Sequence, residues 1–358
     1  MACSREITPG RTVRGCGTRR PVLSFVTMIV RVRLLLSAVA LVAIYAGPAC
    51  GQPKISPLLV HTGMCGASAA VALDAGRFVV ADDEDSVLRV YARDQAGPPL
   101  QQIDLSAFLE LDSESAEPDL EGAARIGDRI YWLGSHARNQ EGKKAHSRRR
   151  FFATKVTVTG AAVQLTPVGS AYQDLLRDLV AEPKLKSFKL AAAAKKAPKE
   201  KGALNIEGLC ATPQGHLLIG FRNPVPSDKA LLVPLLNPDQ VVTGQAARFG
   251  DPILLDLDGR GVRDMACCGG KYFIIAGHRD GRGHSTLYQW AGGSARPEPI
   301  PDTRLKGLNP EVVVFYPDTG CEAFQLLSDD GSNRRQGTRC KDLANTSARR
   351  FRSVWVEP

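Results

Sequence analysis

The feature that most constrains this chain is a short unit that recurs along it, a polar or acidic cluster followed by a strand-like apolar run. The fullest copy is DLEGAARIGDRIYWLGSHARN, which spans Asp119 to Asn139. Its opening returns as Asn205-Ile206-Glu207-Gly208, as Arg263-Asp264 and as Asn309-Pro310-Glu311. Repeated units of this kind predict the blades of one closed β-structure, because each repeat buries its apolar face against its neighbours.

The repeat predicts an all-β fold, an irregular β-propeller of five or six blades. The positions taken as equivalent are Ala69, Glu121, Glu207, Asp264 and Glu311. These positions are 52, 86, 57 and 47 residues apart, and blades of about 40 to 50 residues are ordinary, so irregular blades with one long interval fit. No W-D dipeptide or kelch signature appears in the sequence, so β-sandwich domains in tandem are the alternative architecture.

The longest interval contains one predicted helical insertion, at about residues 171–201. Leucines recur there at helical spacing, at Leu175, Leu176 and Leu179, before an alanine and lysine run. Near the start of the propeller, the apolar segment from Lys54 to Thr62 is expected to add a strand to the last blade and close the ring.

Residues 1–51 are predicted to be an over-extended start followed by a secretory signal peptide. Translation is expected to begin at Met28, and two arginines then precede an uncharged apolar stretch from Leu34 to Tyr45. Small residues at Ala49 and Gly51 place cleavage near residue 51, which leaves 52–358 as a single domain in the periplasm or outside the cell. An uncleaved membrane anchor is the alternative, and lipidation of Cys50 is disfavoured because the preceding residues do not form a lipobox.

The formal charge of +9 does not indicate a nucleic-acid partner. The first 51 residues contain seven arginines and one glutamate, so only about +3 remains on the predicted mature chain. A protein that neutralises a polyanion needs a concentrated basic surface. We therefore expect no nucleic-acid binding and, once the signal is removed, no membrane span.

Cysteine usage agrees with export. Three of the nine cysteines fall in the presequence, and the remaining six are Cys65, Cys210, Cys267, Cys268, Cys321 and Cys340. An even number is typical of disulfide-bonded proteins in oxidising compartments. Cys321 and Cys340 flank one predicted hairpin and are the expected pair, whereas the other four cannot be paired from the sequence.

Four segments, in this order after a signal peptide, resemble a bacterial family of exported proteins classified only as a domain of unknown function, family 3616. They are VVADDEDSVLRVY (Val79 to Tyr91), the Asp119 to Asn139 unit, LNIEGLC (Leu204 to Cys210) and GVRDMA (Gly261 to Ala266). The resemblance implies export and this architecture, and it implies no reaction. A more distant likeness of the D-x-E-G units is to the esterase-like phytase propellers.

Acidic residues that begin equivalent strands are expected to converge at one mouth of a propeller. The candidate metal ligands are Glu121, Glu207, Asp264 and Glu311, and the candidate ligand-binding residues are His136, Arg138, Asn139 and Arg263. Oxygen ligands suit a hard divalent cation such as calcium, and arginine suits an anionic group. The structural alternative is that these acids cap turns or pair with neighbouring arginines.

Three functions follow from this arrangement. The favoured one is binding of a small anionic or metal-bridged ligand, and the others are metal-assisted phosphoester hydrolysis and protein interaction through the rim. Serine hydrolysis is disfavoured, because adjacent Ser135 and His136 point to opposite sides of an extended segment and no G-x-S-x-G elbow is present. The acidic turn from Asp82 to Asp85 has the capacity to bind a cation, but it does not match the EF-hand spacing and is expected to face solvent.

Overall fold

The strands of the protein form five antiparallel sheets in a computed structural model, which describes residues 53–111, 117–301, 305 and 307–358. Two short strands, β1 (Lys54–Ile55) and β2 (Leu59–Thr62), come first. The first sheet contains β3 (Ala67–Ala72), β4 (Arg77–Asp82), β5 (Val87–Ala92) and β6 (Gln101–Asp104). The second contains β7 (Leu120–Ile126), β8 (Arg129–Gly134), β9 (Phe151–Thr159) and β10 (Ala162–Tyr172).

The remaining sheets follow the same order. The third contains β11 (Asn205–Ala211), β12 (Leu217–Asn223), β13 (Ala230–Leu235) and β14 (Ile253–Leu255). The fourth contains β15 (Gly261–Cys268), β16 (Lys271–Gly277), β17 (Thr286–Trp290) and β18 (Glu298–Pro299). The fifth contains β19 (Pro310–Val314), β20 (Phe324–Ser328) and β23 (Arg350–Glu357), and a hairpin of β21 (Arg334–Arg335) and β22 (Thr338–Arg339) is inserted before its last strand.

The α-helices in the described part of the chain are short. They are α1 (Ser106–Leu109), α2 (Leu175–Ala181), α3 (Leu190–Ala193) and α4 (Pro238–Val241). The predicted helical insertion is confirmed, since α2, a 3-10 turn at Pro183–Phe188 and α3 all lie between β10 and β11. Leu175, Leu179 and Leu190 are buried in the core that the second and third sheets share.

The five sheets are the blades of a β-propeller, as the sequence predicts. Their first strands, β3, β7, β11, β15 and β19, lie side by side around one axis. Ser68 Oγ donates a hydrogen bond to the carbonyl oxygen of Leu120 at 2.6 Å, which joins the first two of these strands. Five separate apolar cores fill the spaces between neighbouring blades, so each blade is stabilised by burial on both faces.

The fifth blade is completed by the N-terminal segment. Strand β23 pairs with β20 on one side, and β1 and β2 both pair with it antiparallel on the other. The expected closure of the ring by the segment from Lys54 to Thr62 is therefore confirmed. Contacts group Cys50–Pro358 into one compact unit.

Each inner strand carries a β-bulge near its start, where one residue lies outside the pairing register. The bulged residues of the five blades, in order, are Ser68, Glu121, Glu207, Arg263 and Glu311. A bulge redirects the side chain at that position. The equivalences predicted at Ala69 and Asp264 are wrong by one residue, because the sequence does not show which residue leaves the pairing register.

The described residues form two disulfides, and neither is the predicted one. Cys65 bonds to Cys340, and Cys268 bonds to Cys321, so the expected pairing of Cys321 with Cys340 is wrong. Cys210 and Cys267 are free thiols. Cys321 is bonded to β15 of the fourth blade, whereas Cys340 is bonded to the segment that precedes β3 of the first blade, so the two cysteines join different neighbouring blades.

Two disulfides fit an oxidising compartment. None of the helices in the part of the chain that the structure describes has the length and apolar character needed to cross a bilayer. The predicted start and signal peptide, residues 1–51, lie outside the described residues, and export stays a prediction.

Candidate functional site

A polar cavity of about 510 Å³ lies at the mouth of the propeller axis where the inner strands begin. Nine carboxylates line it, at Asp83, Glu84, Glu117, Asp119, Glu121, Glu141, Glu207, Glu311 and Asp329. Six basic side chains line it as well, at Arg148, Lys199, Arg222, Arg263, Arg339 and Lys341. The cavity is thus charged throughout, with an excess of acid.

Three of the carboxylates come from the first two blades and meet at one point. One carboxylate oxygen from each of Asp83, Asp119 and Glu121 lies within 4.8 Å of the other two. Asp83 follows β4, Asp119 precedes β7, and Glu121 is the bulged residue of β7. The close approach of neighbouring strand ends at the axis therefore assembles the cluster.

The carboxylates of this cluster are difficult to ionise together. Burial raises the pKa of Glu121 well above its usual range, and the charges of Glu207 and Asp119 raise it further. Burial likewise raises the pKa of Asp83, with added repulsion from Asp82. The pKa of Asp119 is also raised by burial, although its ion pair with Arg148, at 2.9 Å, opposes the shift. A cation at this point would relieve the repulsion.

The glutamates of the third and fifth blades are paired with arginines. Arg222 Nη1 donates a hydrogen bond to Glu207 Oε1 at 2.5 Å. Arg263 forms an ion pair with Glu311, lies near Glu207, and donates from Nη1 to Asn309 Oδ1 at 2.9 Å. Among the described residues, by contrast, no hydrogen bond or ion pair reaches the carboxylate of Glu121.

Arg263, like Arg222, is a buried base of the mouth. Its residue is 8% exposed, and burial together with the charge of Arg222 lowers its pKa to about 10. Its Nε has no hydrogen-bond acceptor in the described part of the chain. That atom is buried and lies 3.7 Å from Glu207 Oε2, so Nε faces its ion-pair partner rather than the open cavity.

The structure brings together five of the residues that the sequence singles out. Glu121, Glu207, Glu311, Arg263 and Asn139 all line the mouth. The side-chain oxygen of Asn139 accepts a hydrogen bond from the backbone of Lys143 at 2.7 Å, so it also shapes its own loop.

Asp264, His136 and Arg138 do not line the mouth. Asp264 is buried between the fourth and fifth blades, where it accepts a hydrogen bond from the backbone nitrogen of Val313 at 2.8 Å. It is absent from the site because the residue before it bulges, which turns Asp264 to the opposite side of the strand. Burial raises the pKa of Asp264 to about 8.

His136 and Arg138 have structural roles in the loop after β8. His136 is buried with a positive φ of 55°, its Nδ1 is 2.7 Å from the carbonyl oxygen of Gly134, and burial lowers its pKa to about 4. Arg138 donates from Nε to the carbonyl oxygen of Ala194 at 3.0 Å and from Nη1 to that of Gly142 at 2.8 Å. These contacts hold the loop against the helical insertion.

Several residues of the mouth were missed in the sequence. The acidic turn after β4 does not face solvent, since Asp82 is buried and Asp83 lines the cavity. Asp329 follows β20 as Asp83 follows β4, so the residue after the second strand of a blade is a signal that sequence reasoning could have used. Arg222 carried no such signal, because it occupies an irregularity of β12 that a strand pattern does not reveal.

Comparison with solved structures finds similar chains at low identity. Glutaminyl cyclase from Myxococcus xanthus has a TM-score of 0.45 at 12% identity, covering 85% of this chain and 96% of that one. A putative oxidoreductase (glucose dehydrogenase) from Thermus thermophilus has a TM-score of 0.42 at 15% identity, covering 85% and 99%. The PQQ-bound aldose sugar dehydrogenase of Streptomyces coelicolor has a TM-score of 0.42 at 13% identity, covering 86% and 99%.

Comparison with curated proteins gives no match. A family model described as "Protein of unknown function (DUF3616)" matches residues 66–160 and 151–312. These matches cover more than half of the sequence and include all the segments on which the resemblance was based. The chain therefore belongs to the DUF3616 family of proteins of unknown function.

Proposed function

We propose that the mouth of the propeller binds a divalent cation and, through it, a small anionic ligand. The cation is held by Asp83, Asp119 and Glu121, and the anion contacts the cation and the neighbouring Arg263. The observation that carries this proposal is the meeting of three carboxylate oxygens within 4.8 Å of one another, beside a cavity of about 510 Å³.

A hard cation suits this cluster for two reasons. Carboxylate oxygens are the ligands that Ca²⁺ and Mg²⁺ prefer, and a divalent charge offsets the repulsion that raises the pKa of Glu121 and Asp83. The order of charges around the axis is a third reason. Glu207 and Glu311 already have arginine partners, so Glu121 is the bulged acid left for a cation.

The coordination positions that remain open on the cation favour an anionic ligand. Ca²⁺ takes six to eight oxygen ligands, and three carboxylates leave several positions for water or a ligand oxygen. Arg263 supports an anion as well, because it lines the same cavity and carries a positive charge. A carboxylate or phosphate group can bind the cation with one oxygen and contact Arg263 with another.

The test is thermal unfolding of the chelator-treated protein with added CaCl₂, MgCl₂ or MnCl₂. A ligand that binds only the native state raises its apparent stability, so we expect a higher Tm with at least one cation. Asp83→Asn and Glu121→Gln should each abolish the increase, whereas Glu298→Gln, at an exposed acid of β18, should keep it. A Tm that no divalent cation changes, or an increase that both mouth variants retain, would contradict the proposal.

Metal-assisted phosphoester hydrolysis is the second candidate. The observation that favours it is the placement of Arg222 and Arg263 on the same cavity as the carboxylate cluster, where they are suited to bind phosphoryl oxygens. His136 does not take part, since it lies outside the mouth. Cation-dependent release of p-nitrophenol from p-nitrophenyl phosphate, lost in Glu121→Gln, would support this function; cation binding without turnover would leave ligand binding alone.

A further inference from the structure

A second cavity, of about 470 Å³, lies between the β21–β22 hairpin and strands β2 and β23 of the fifth blade. None of its lining residues belongs to the mouth described above. Four arginines line it, at Arg334, Arg335, Arg350 and Arg352, together with one carboxylate, that of Asp330. The lining side chains therefore carry a formal excess of three positive charges.

The one carboxylate is already used within the protein. Arg352 donates to Asp330 from Nε at 2.7 Å and from Nη2 at 2.8 Å, which is a two-point pair. Arg334 donates from Nη1 to the carbonyl oxygen of Gly337. Arg335 and Arg350 have no side-chain hydrogen bond or ion pair to any described residue, so two guanidinium groups on one cavity lack an acceptor in that part of the chain.

The hairpin that carries two of the arginines is fixed at its base. Cys340 lines the cavity and is bonded to Cys65, and the backbone nitrogen of Asp330 donates to the carbonyl oxygen of Cys65 at 2.9 Å. Asn333 donates from Nδ2 to Asp330 Oδ1 at 2.8 Å. These contacts fix the base of the hairpin, so the backbone positions of Arg334 and Arg335 beside β23 are set before a ligand binds.

We propose that this cavity is a second binding site, for a small ligand that carries a tetrahedral oxyanion, a phosphate or a sulfate group. Arg335 and Arg350 are its primary contacts, and Arg352 is held by Asp330 beside them. Arginine suits such a group, because the planar guanidinium donates two parallel hydrogen bonds to adjacent oxygens. The volume allows a ligand larger than the free ion, since cavities of about 300 to 1,000 Å³ are typical of small-molecule sites.

The test is isothermal titration calorimetry with sodium phosphate and with sodium sulfate at constant ionic strength and with EDTA. We expect one anion to bind per chain, and Arg335→Gln/Arg350→Gln to weaken its binding at least tenfold. Arg296→Gln, an exposed arginine of the fourth blade, is the matched control and should bind as the wild type does. Unchanged thermal unfolding of the double variant shows that the fold is retained.

The same titration separates this site from the mouth. Glu121→Gln should bind the anion normally, because the two cavities share no residue. Equal binding of phosphate and sulfate assigns a general oxyanion site, and preference for phosphate assigns a ligand with a protonated oxygen. Absence of binding by the wild type, or equal binding by wild type and double variant, would overturn the proposal.

Discussion

Arg263 occupies in the fourth blade the position that Glu121 occupies in the second, since each is the bulged residue of its inner strand. Around the axis, the residues at this position are, in order, Ser68, Glu121, Glu207, Arg263 and Glu311. Arg263 thus stands between two glutamates and contacts both. Glu121 has serine on one side and another glutamate on the other, which explains why its carboxylate has no basic partner in its own ring.

Replacing Glu121 should increase the stability of the cation-free protein although it abolishes cation binding. Glu121→Gln removes a carboxyl group whose pKa is raised by burial and by neighbouring acids. The cation-free variant should therefore be more stable than wild type at pH 7.5 by about 1 kcal/mol. Urea unfolding in EDTA measures this difference. A cation-free variant that is less stable than wild type would show that the carboxylate is not under repulsion.

Acid should destabilise the protein through its buried histidines. Burial lowers the pKa of both His61 and His136 to about 4, whereas the unfolded value is about 6.5. The unfolded chain then binds more protons between these values, so stability falls as pH decreases from 6.5 to 4, by up to about 3 kcal/mol for each histidine.

The variant that isolates this effect is His136→Asn, because asparagine tolerates the positive φ at that position. Its unfolding free energy, measured in urea from pH 4 to 7, should depend less on pH than that of wild type. The exposed His284→Asn should follow the wild-type curve. If His136→Asn does so as well, His136 is not the source of the pH dependence.

Asp264 should make stability depend on pH in the direction opposite to that of the two histidines. Its pKa is raised to about 8 by burial, so the folded state holds a proton that the unfolded state loses near pH 4, and stability falls as pH rises from about 4 through 8. Asp264→Asn keeps an acceptor for the backbone nitrogen of Val313 and removes the ionisation. We expect it to exceed wild type by at least about 2 kcal/mol at pH 9 and to match it near pH 4. Equal stabilities at pH 9 would contradict this assignment.

The two disulfides should contribute unequally to stability. Cys65–Cys340 spans 275 residues and Cys268–Cys321 spans 53. Loop-closure entropy predicts about 5.5 kcal/mol for the longer loop and about 4 for the shorter. Urea unfolding of the two double variants, Cys65→Ser/Cys340→Ser and Cys268→Ser/Cys321→Ser, measures the two contributions. The prediction is wrong if Cys268→Ser/Cys321→Ser is the more destabilised protein.

Gly261 should be intolerant of any side chain. A Cβ there would lie 2.0 Å from the carbonyl oxygen of Arg222, which is backbone and cannot rotate away. Gly261→Ala should therefore cost at least about 2 kcal/mol and displace Arg222 from Glu207. Gly76→Ala is the matched control, because its Cβ would meet nothing closer than 3.8 Å. Equal stabilities of the two variants would refute the close approach.

The sequence predicts the propeller and its closure because repetition and strand patterns are local signals. Residue pairings across blades are not local. Cys65 and Cys340 lie at opposite ends of the chain, and no spacing rule relates them. For the site, charge alone selected Asp264, whereas the bulge that places Arg263 in the ring depends on the register of the neighbouring strand. Asp83 was missed because an acidic turn is ordinarily solvated.

Sharing the fifth blade between β1, β2 and the distant strand β23 makes closure of the ring a non-local event. Strands β1 and β2 have no sheet to join until β23 is in place. Until then, the apolar faces of the first and fourth blades that pack on the fifth are open to wrong contacts. Pairing of β23 with β1 and β2 is therefore the step that commits this protein to its native state.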